Sequence, residues 1–168
     1  LYNAVYQLFK VLIPFITIPY LSRVLGPKGI GINSYTNTII QYFVFLSDLG
    51  ITMYGNRKIA YVRDNHYKLT QTFYEIMIMQ ICTVIMAYFT FFIFLNFSNN
   101  LYRPYYLAQS IMIVAMAFDI SWFFMGVENF KITVFRNFLI RIIIIFMILI
   151  FVKSYHDLLL YIVLYASS

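Results

Sequence analysis

Charge is scarce in this sequence, and acid scarcest of all: 11% of the 168 residues are charged, with six Asp or Glu against twelve Lys or Arg. A soluble domain carries roughly 25% charged residues, so an ordinary water-exposed globule is excluded. The one cysteine, Cys82, leaves no intrachain disulfide and no thiolate cluster to build, and it reads as a small buried apolar side chain. The two histidines, His66 and His156, fall in connectors without ligand spacing to each other or to carboxylates, so no metal site is expected. Glycine is sparse, and LGPKGIG (25–31) has neither a Lys-Ser/Thr ending nor a preceding strand, which excludes a phosphate-cradling loop and leaves a turn.

What fills the sequence is apolar: 62% of residues are hydrophobic and 21% aromatic. The apolar blocks run to roughly twenty residues, the length a helix needs to cross about 30 Å of hydrocarbon. A membrane β-barrel would need alternating segments of about ten residues, whereas IRIIIIFMILIFV (140–152) is apolar at nearly every position. The expected class is therefore an all-α polytopic membrane protein. Helices are expected at about 3–23, 32–54, 71–96, 104–125 and 133–152, with a sixth beginning near Asp157. GNRKIAYVRDNHYKL (55–69) reads as a charged loop and FSNNLYRP (97–104) as a short polar one. The first segment, with Lys10, Pro14 and Pro19 inside it and no small-residue cleavage site after it, reads as a retained helix rather than a signal peptide. Because the chain opens on Leu inside one apolar segment and ends on YIVLYASS inside another, we expect residues 1–168 to be part of a longer protein.

Basic residues sort to two sides. Arg57, Lys58, Arg63, Lys68, Lys131 and Arg136, with Arg141 just inside the fifth segment, fall on one; Arg23, Lys28, Arg103 and Lys153 fall on the other. The positive-inside rule predicts a cytoplasmic location for the first group and for the N-terminus. The net charge of +6 is then a topology signal, so nucleic acid is not an expected partner, while membrane lipids are.

Polar residues inside the apolar segments need protein or water around them. Asn3, Gln7, Lys10, Pro14 and Thr17 share one helical face, and Ser34, Thr38, Gln41 and Asp48 share another. Amide and hydroxyl groups in such stripes commonly hold membrane helices together. Ionisable Lys10 and Asp48 cost at least about 2.5 kcal/mol in hydrocarbon and point to a wet, charged interior. Pro14 and Pro19 fit a static kink or a bendable gate equally. In DISWFFMGVENF (119–130), Asp119 closes the fourth segment, Trp122, Phe123 and Phe124 anchor it at the interface, and Glu128 lies in the turn beyond. Asp119 is expected to pair with Arg136 or Arg141 as a structural clasp, since an acid repels an anionic substrate.

Two blocks carry a family resemblance. PYLSRVLGPKGIGINSYTNTIIQYFVFLSDLGITMYGNRKIA (19–60) and DISWFFMGVENFKITVFRN (119–137) resemble, in order, signatures of bacterial Wzx-type lipid-linked oligosaccharide flippases, the polysaccharide transporter family of a larger exporter superfamily; FVKSYHDLLLYIVL (151–164) adds a weaker match. The resemblance implies an N-terminal bundle of about five to six helices, most of one half of a transporter that alternates access around a central cavity in the bacterial cytoplasmic membrane. It implies a non-enzyme without cofactors, apart from a coupling proton or sodium ion, that moves undecaprenyl-diphosphate-linked oligosaccharides for capsule, exopolysaccharide or O-antigen assembly beside polymerase and assembly proteins. Within that reading Lys10, Arg23 and Gln41 would line the diphosphate cavity, and Asp48 or Glu75 would bind the coupling ion. Arg23 fits a snorkelling interface arginine as well. The alternatives are a multidrug exporter of the same superfamily and a membrane-integral polysaccharide polymerase or ligase. A polymerase or ligase would need a large extracytoplasmic loop and a reactive constellation, and the sequence offers neither.

Overall fold

The computed structural model describes residues 17–167, apart from the side chains of residues 130–132. Helix α1 is described over 17–24. Leu25 forms a turn, Gly26 takes a left-handed φ of 66°, and Pro27 sits in the first turn of α2 (Gly26–Asp48), where a missing N–H leaves nothing unsatisfied. The expected turn at 25–31 is thus confined to Leu25 and the left-handed Gly26 that opens α2, and the rest of that motif is already helix.

The segment expected at 32–54 is divided in two. Leu49 (φ 41°) and Gly50 (φ 80°) both turn left-handed and end α2; α3 (Ile51–Val62) then takes up half of what reads as a charged loop. Asp48 staples the joint, its Oδ1 accepting from Thr52 N–H (3.0 Å) and Thr52 Oγ1 (2.6 Å). Ile51, Gly55 and Ile59 recur at a spacing of four and form the buried face of α3.

Helix α4 (His66–Phe97) is 32 residues long, about 48 Å at about 1.5 Å per residue. Asn65 caps it, accepting from Lys68 N–H at 3.1 Å. A single stripe, Thr72, Ile76, Gln80, Val84, Ala87, Phe91 and Leu95, is buried, while Ile85, Met86, Phe89 and Phe92 on other faces are exposed. Cys82 lies on the exposed side of α4 and is not the buried side chain the sequence suggests.

The expected helix at 104–125 is broken. It comprises α5 (Arg103–Gln109), α6 (Ile111–Ala115), a 3-10 turn (Met116–Phe118), an interruption at Asp119 and Ile120, and α7 (Ser121–Gly126). Helix α8 (Phe130–Phe151) follows, and a second 3-10 turn (Tyr155–Asp157) leads into α9 (Leu158–Ala166). Among the described residues three segments are long and apolar enough to cross a membrane: His66–Phe97, Arg103–Gly126 and Thr133–Phe151. With their apolar outer faces they make this an all-α, multi-pass membrane protein; no strand occurs among the described residues.

Among the described residues the buried apolar side chains form three clusters. Leu21 and Leu25 pack with Ile144 and Ile148 of α8, Val152 just beyond it, and Ile162 of α9. Ile40 packs with Phe91 of α4 and Tyr106 and Ile113 of α5 and α6. Ile51 and Ile59 pack with Ile76 and Trp122, where α3, α4 and α7 meet. Gly55 and Gly126 let α3 and α7 touch closely: a Cβ on Gly126 would lie 2.6 Å from Ile59 Cβ.

Candidate functional site

The interruption in the fourth segment frees backbone groups inside an apolar bundle, and every such group needs a partner. Gln80 of α4 supplies them. Its Nε2 donates to the carbonyl oxygens of Met116 and Asp119 (3.0 Å to the latter), and its Oε1 accepts from Trp122 Nε1 at 2.9 Å. Gln80 is 4% exposed and Trp122 1%. Trp122 is therefore a buried plug between α3 and α4, stacked near Phe73 and pressed on Gly55, rather than the interfacial anchor its WFF context suggests.

Asp119 (φ −78°, ψ 101°) is in extended conformation at the break. Its Oδ1 accepts from Ser121 N–H at 3.0 Å and from the Ser121 hydroxyl. Arg136 Nη2 on α8 lies 3.6 Å from the same oxygen and donates to Ser121 Oγ at 3.2 Å. Arg136 also donates to Asn137 Oδ1 through Nε and Nη2, both at 3.3 Å. Beside this group lies a cleft of about 400 Å³ whose lining includes Asp119, Ser121, Arg136, Asn137, Arg141 and Ser167. Two guanidinium groups face one carboxylate, so the cleft carries a net positive charge.

The remaining residues singled out in the sequence are spread over other surfaces. Arg23 and Gln41 are exposed, on α1 and α2; Lys10 lies outside the described residues. Asp48 is occupied by Thr52 in the α2–α3 joint. Glu75 is exposed on α4 and accepts from Gln71 Nε2 at 2.8 Å. Ser34 and Thr38 are exposed beside Gln41, whereas Asn33 turns inward to accept from Gln109 Nε2 at 3.1 Å, joining α2 to α5. At the α3 end of the bundle Arg63 Nη1 meets Glu128 Oε1 at 2.6 Å; the hydrogen-bonded carboxylate holds the guanidinium's pKa above its ordinary value.

The role of Gln80 was not legible beforehand. A lone Gln inside an apolar run signals only that some partner exists, and here the partners lie 36 to 42 residues away. Among the described residues no group of His, Cys, Asp and Glu could hold a metal ion.

The model of the polysaccharide biosynthesis protein family matches residues 1–168. The chain belongs to that family. Among its curated relatives, a protein of Escherichia coli K12 named "Putative O-antigen transporter" is 29% identical over 164 residues, 94% of this chain and 38% of the relative. A protein of the same name from Shigella flexneri is 38% identical over 73 residues, 41% of this chain and 17% of the relative. The chain thus spans well under half the length of the relatives it matches. No solved structure matches it significantly. Family and fold together make this a multi-pass membrane protein of the polysaccharide biosynthesis protein family.

Proposed function

We propose that the protein to which this chain contributes flips lipid-linked oligosaccharide repeat units across the bacterial cytoplasmic membrane by alternating access, without being an enzyme. The observation that carries this reading is the family match over all 168 residues, joined to O-antigen transporter relatives. Physical chemistry supports it. A diphosphate cannot enter hydrocarbon unaided, and a transporter must offer cations and polar groups in place of its hydration shell. Helix α2 presents Ser34, Thr38 and Gln41 on its exposed side, a wall suited to sugar hydroxyls rather than lipid tails. Together with Arg23, and with Lys10 of the first segment, that wall would face the carried molecule.

Orientation follows the basic residues. The Arg63–Glu128 contact brings α3 and the α7–α8 turn to one end of the bundle, the end that also carries Arg57, Lys58 and Lys68. We place that end, and the N-terminus, in the cytoplasm. Asp48, set in the α2–α3 joint, and Glu75 on α4 are the acids through which a proton or sodium gradient would act; protonation of Asp48 would loosen the joint it staples. Membrane lipids and the polymerase and assembly proteins that take up flipped repeat units are the partners this reading implies.

The test is complementation: the full-length protein, expressed in a strain that lacks its O-antigen flippase, should restore surface O-antigen. Normal membrane levels with no surface O-antigen, in strains making a range of repeat units, would overturn the reading.

A further inference from the structure

Helices α3 and α7 are bounded by non-helical joints at both of their ends. Leu49 and Gly50, left-handed at φ 41° and 80°, precede α3, and Asn65, extended at φ −114°, follows it. Asp119, extended at φ −78°, precedes α7, and Glu128, left-handed at φ 57°, follows it. Helix α4 runs past both without interruption. Between the two short helices the fit is close, with Gly55 against the Trp122 ring and Gly126 against Ile59 and the Asn56 carbonyl. The Arg63–Glu128 ion pair ties the chain just beyond each of them. Their cluster of Ile51, Ile59, Ile76 and Trp122 is separate from the cluster of Ile40, Val84, Phe91, Tyr106 and Ile113, and Gln80 lies between the two along α4. One turn of α4 serves the inner joints, Leu49–Gly50 and Asp119–Ile120, together. Thr83 Oγ1 donates to the Ser47 carbonyl oxygen at 2.7 Å, and Gln80 Nε2 donates to the carbonyl oxygens of Met116 and Asp119. Gln80 and Thr83 are about 4.5 Å apart along the axis at about 1.5 Å per residue, so both breaks lie at one level of the bundle.

We propose that α3 and α7 form one cooperative unit that swings as a body against the continuous α4, hinged at the two inner joints, with Gln80 as the latch that holds it. The glycine contacts make the pair stiff internally, because close-packed surfaces transmit strain rather than absorb it. The joints make it free at its ends, since a hinge is a few element-terminal residues that take up the φ/ψ change. Gln80 holds the unit through the Trp122 indole and through the backbone of the joint itself, so releasing one amide frees the ring and the break together. Arg136 of α8 reaches the same joint, at Asp119 and Ser121, and steadies it from the other side. Opening leaves the cluster around Phe91 packed, and the change is confined to the end of the bundle that carries Arg57, Lys58 and Lys68. The inference rests on backbone and packing within residues 47–136 and not on the transport reading, so the exchange experiment below and complementation fail separately.

The test is hydrogen–deuterium exchange, read by mass spectrometry on the full-length protein in nanodiscs. Amides of α3 and α7 should open together, with a common protection at least about tenfold below that of residues 84–95 of α4. In a series of sub-denaturing urea concentrations, which needs no variant, the two helices should lose protection along one slope. Gln80→Leu gives the sharper result, because the hydrogen bonds of Gln80 go to the fourth segment and not to α3. It should nonetheless speed exchange of α3 and α7 alike, about tenfold, and leave residues 84–95 within about twofold of the parent. Should Gln80→Leu fail to fold, the urea series on the parent decides alone. Separate urea slopes for α3 and α7, acceleration of α7 alone in a folded Gln80→Leu variant, or equal acceleration in every helix overturns the proposal.

Discussion

Replacing Gln80 by Leu keeps the side chain's approximate volume and removes all three of its hydrogen bonds at once. The carbonyls of Met116 and Asp119 and the indole N–H of Trp122 are left without that partner in an apolar interior. Hydrogen bonds between membrane helices average about 0.6 kcal/mol each, which gives about 2 kcal/mol for three. A buried group left wholly unsatisfied costs about 1–3 kcal/mol, which for three groups raises the upper figure to about 9 kcal/mol. Water reaching the break from the adjoining cleft would bring the loss toward the lower value. Trp122→Phe removes one of the three bonds and part of the packing, and the double variant isolates the Gln80–Trp122 coupling. The assay is equilibrium unfolding of the full-length protein in mixed micelles, with protease accessibility at the α6–α7 break as a local readout. If Gln80→Leu unfolds within about 0.5 kcal/mol of the parent, Gln80 does not hold the break and the packing argument for α4, α6 and α7 fails.

The α3–α7 crossing gives a sharper steric test. Gly126→Ala puts a methyl group 2.6 Å from Ile59 Cβ and 2.9 Å from the Asn56 carbonyl oxygen, and should lower stability by about 1–3 kcal/mol in thermal unfolding. Gly31→Ala, with nothing within 4 Å in the middle of α2, should be neutral or stabilising by up to about 1 kcal/mol in the same assay. Asp157 accepts from Lys153 N–H, Ser154 N–H and the Ser154 hydroxyl at the start of the α9 segment, and these bonds hold its pKa below the ordinary 3.8. A depressed carboxylate pKa stabilises above the unfolded value and is lost as pH falls through the folded one. Asp157→Asn should therefore be less stable than the parent at neutral pH, with the gap closing below about pH 3.8 in a pH series of melting temperatures.

The class of this protein was open to reading because hydrophobic length is a property of the chain itself. Runs such as IRIIIIFMILIFV need no partner to declare a membrane helix. The interruptions were not visible in the same way, because hydropathy averages over a whole span. The α2–α3 joint did leave a local trace, since Asp48 followed by Leu49 and Gly50 combines a helix-ending glycine with an acid four residues before Thr52. The α6–α7 break left less, an Asp two residues before Ser121, because what sustains it is an amide on another helix. Trp122 was misplaced for a related reason. Interfacial tryptophan is a statistical preference, and it yields where Gly55 makes room for the ring and a buried Gln takes its N–H. Arg141 read as lying just inside the fifth segment, and the observed span Thr133–Phe151 keeps it eight residues from the start, as the expected bounds 133–152 already did.

The central claim is translocation of a lipid-linked oligosaccharide, and the most direct measurement reconstitutes the full-length protein in liposomes carrying such a lipid. An impermeant glycosidase added outside cleaves only outward-facing sugar. With the protein present, cleavage should pass the outer-leaflet fraction and approach completion, while protein-free liposomes stop at that fraction. Cleavage that stops at the outer-leaflet fraction in liposomes containing folded protein, across several repeat-unit structures and with an imposed proton or sodium gradient, would contradict the account.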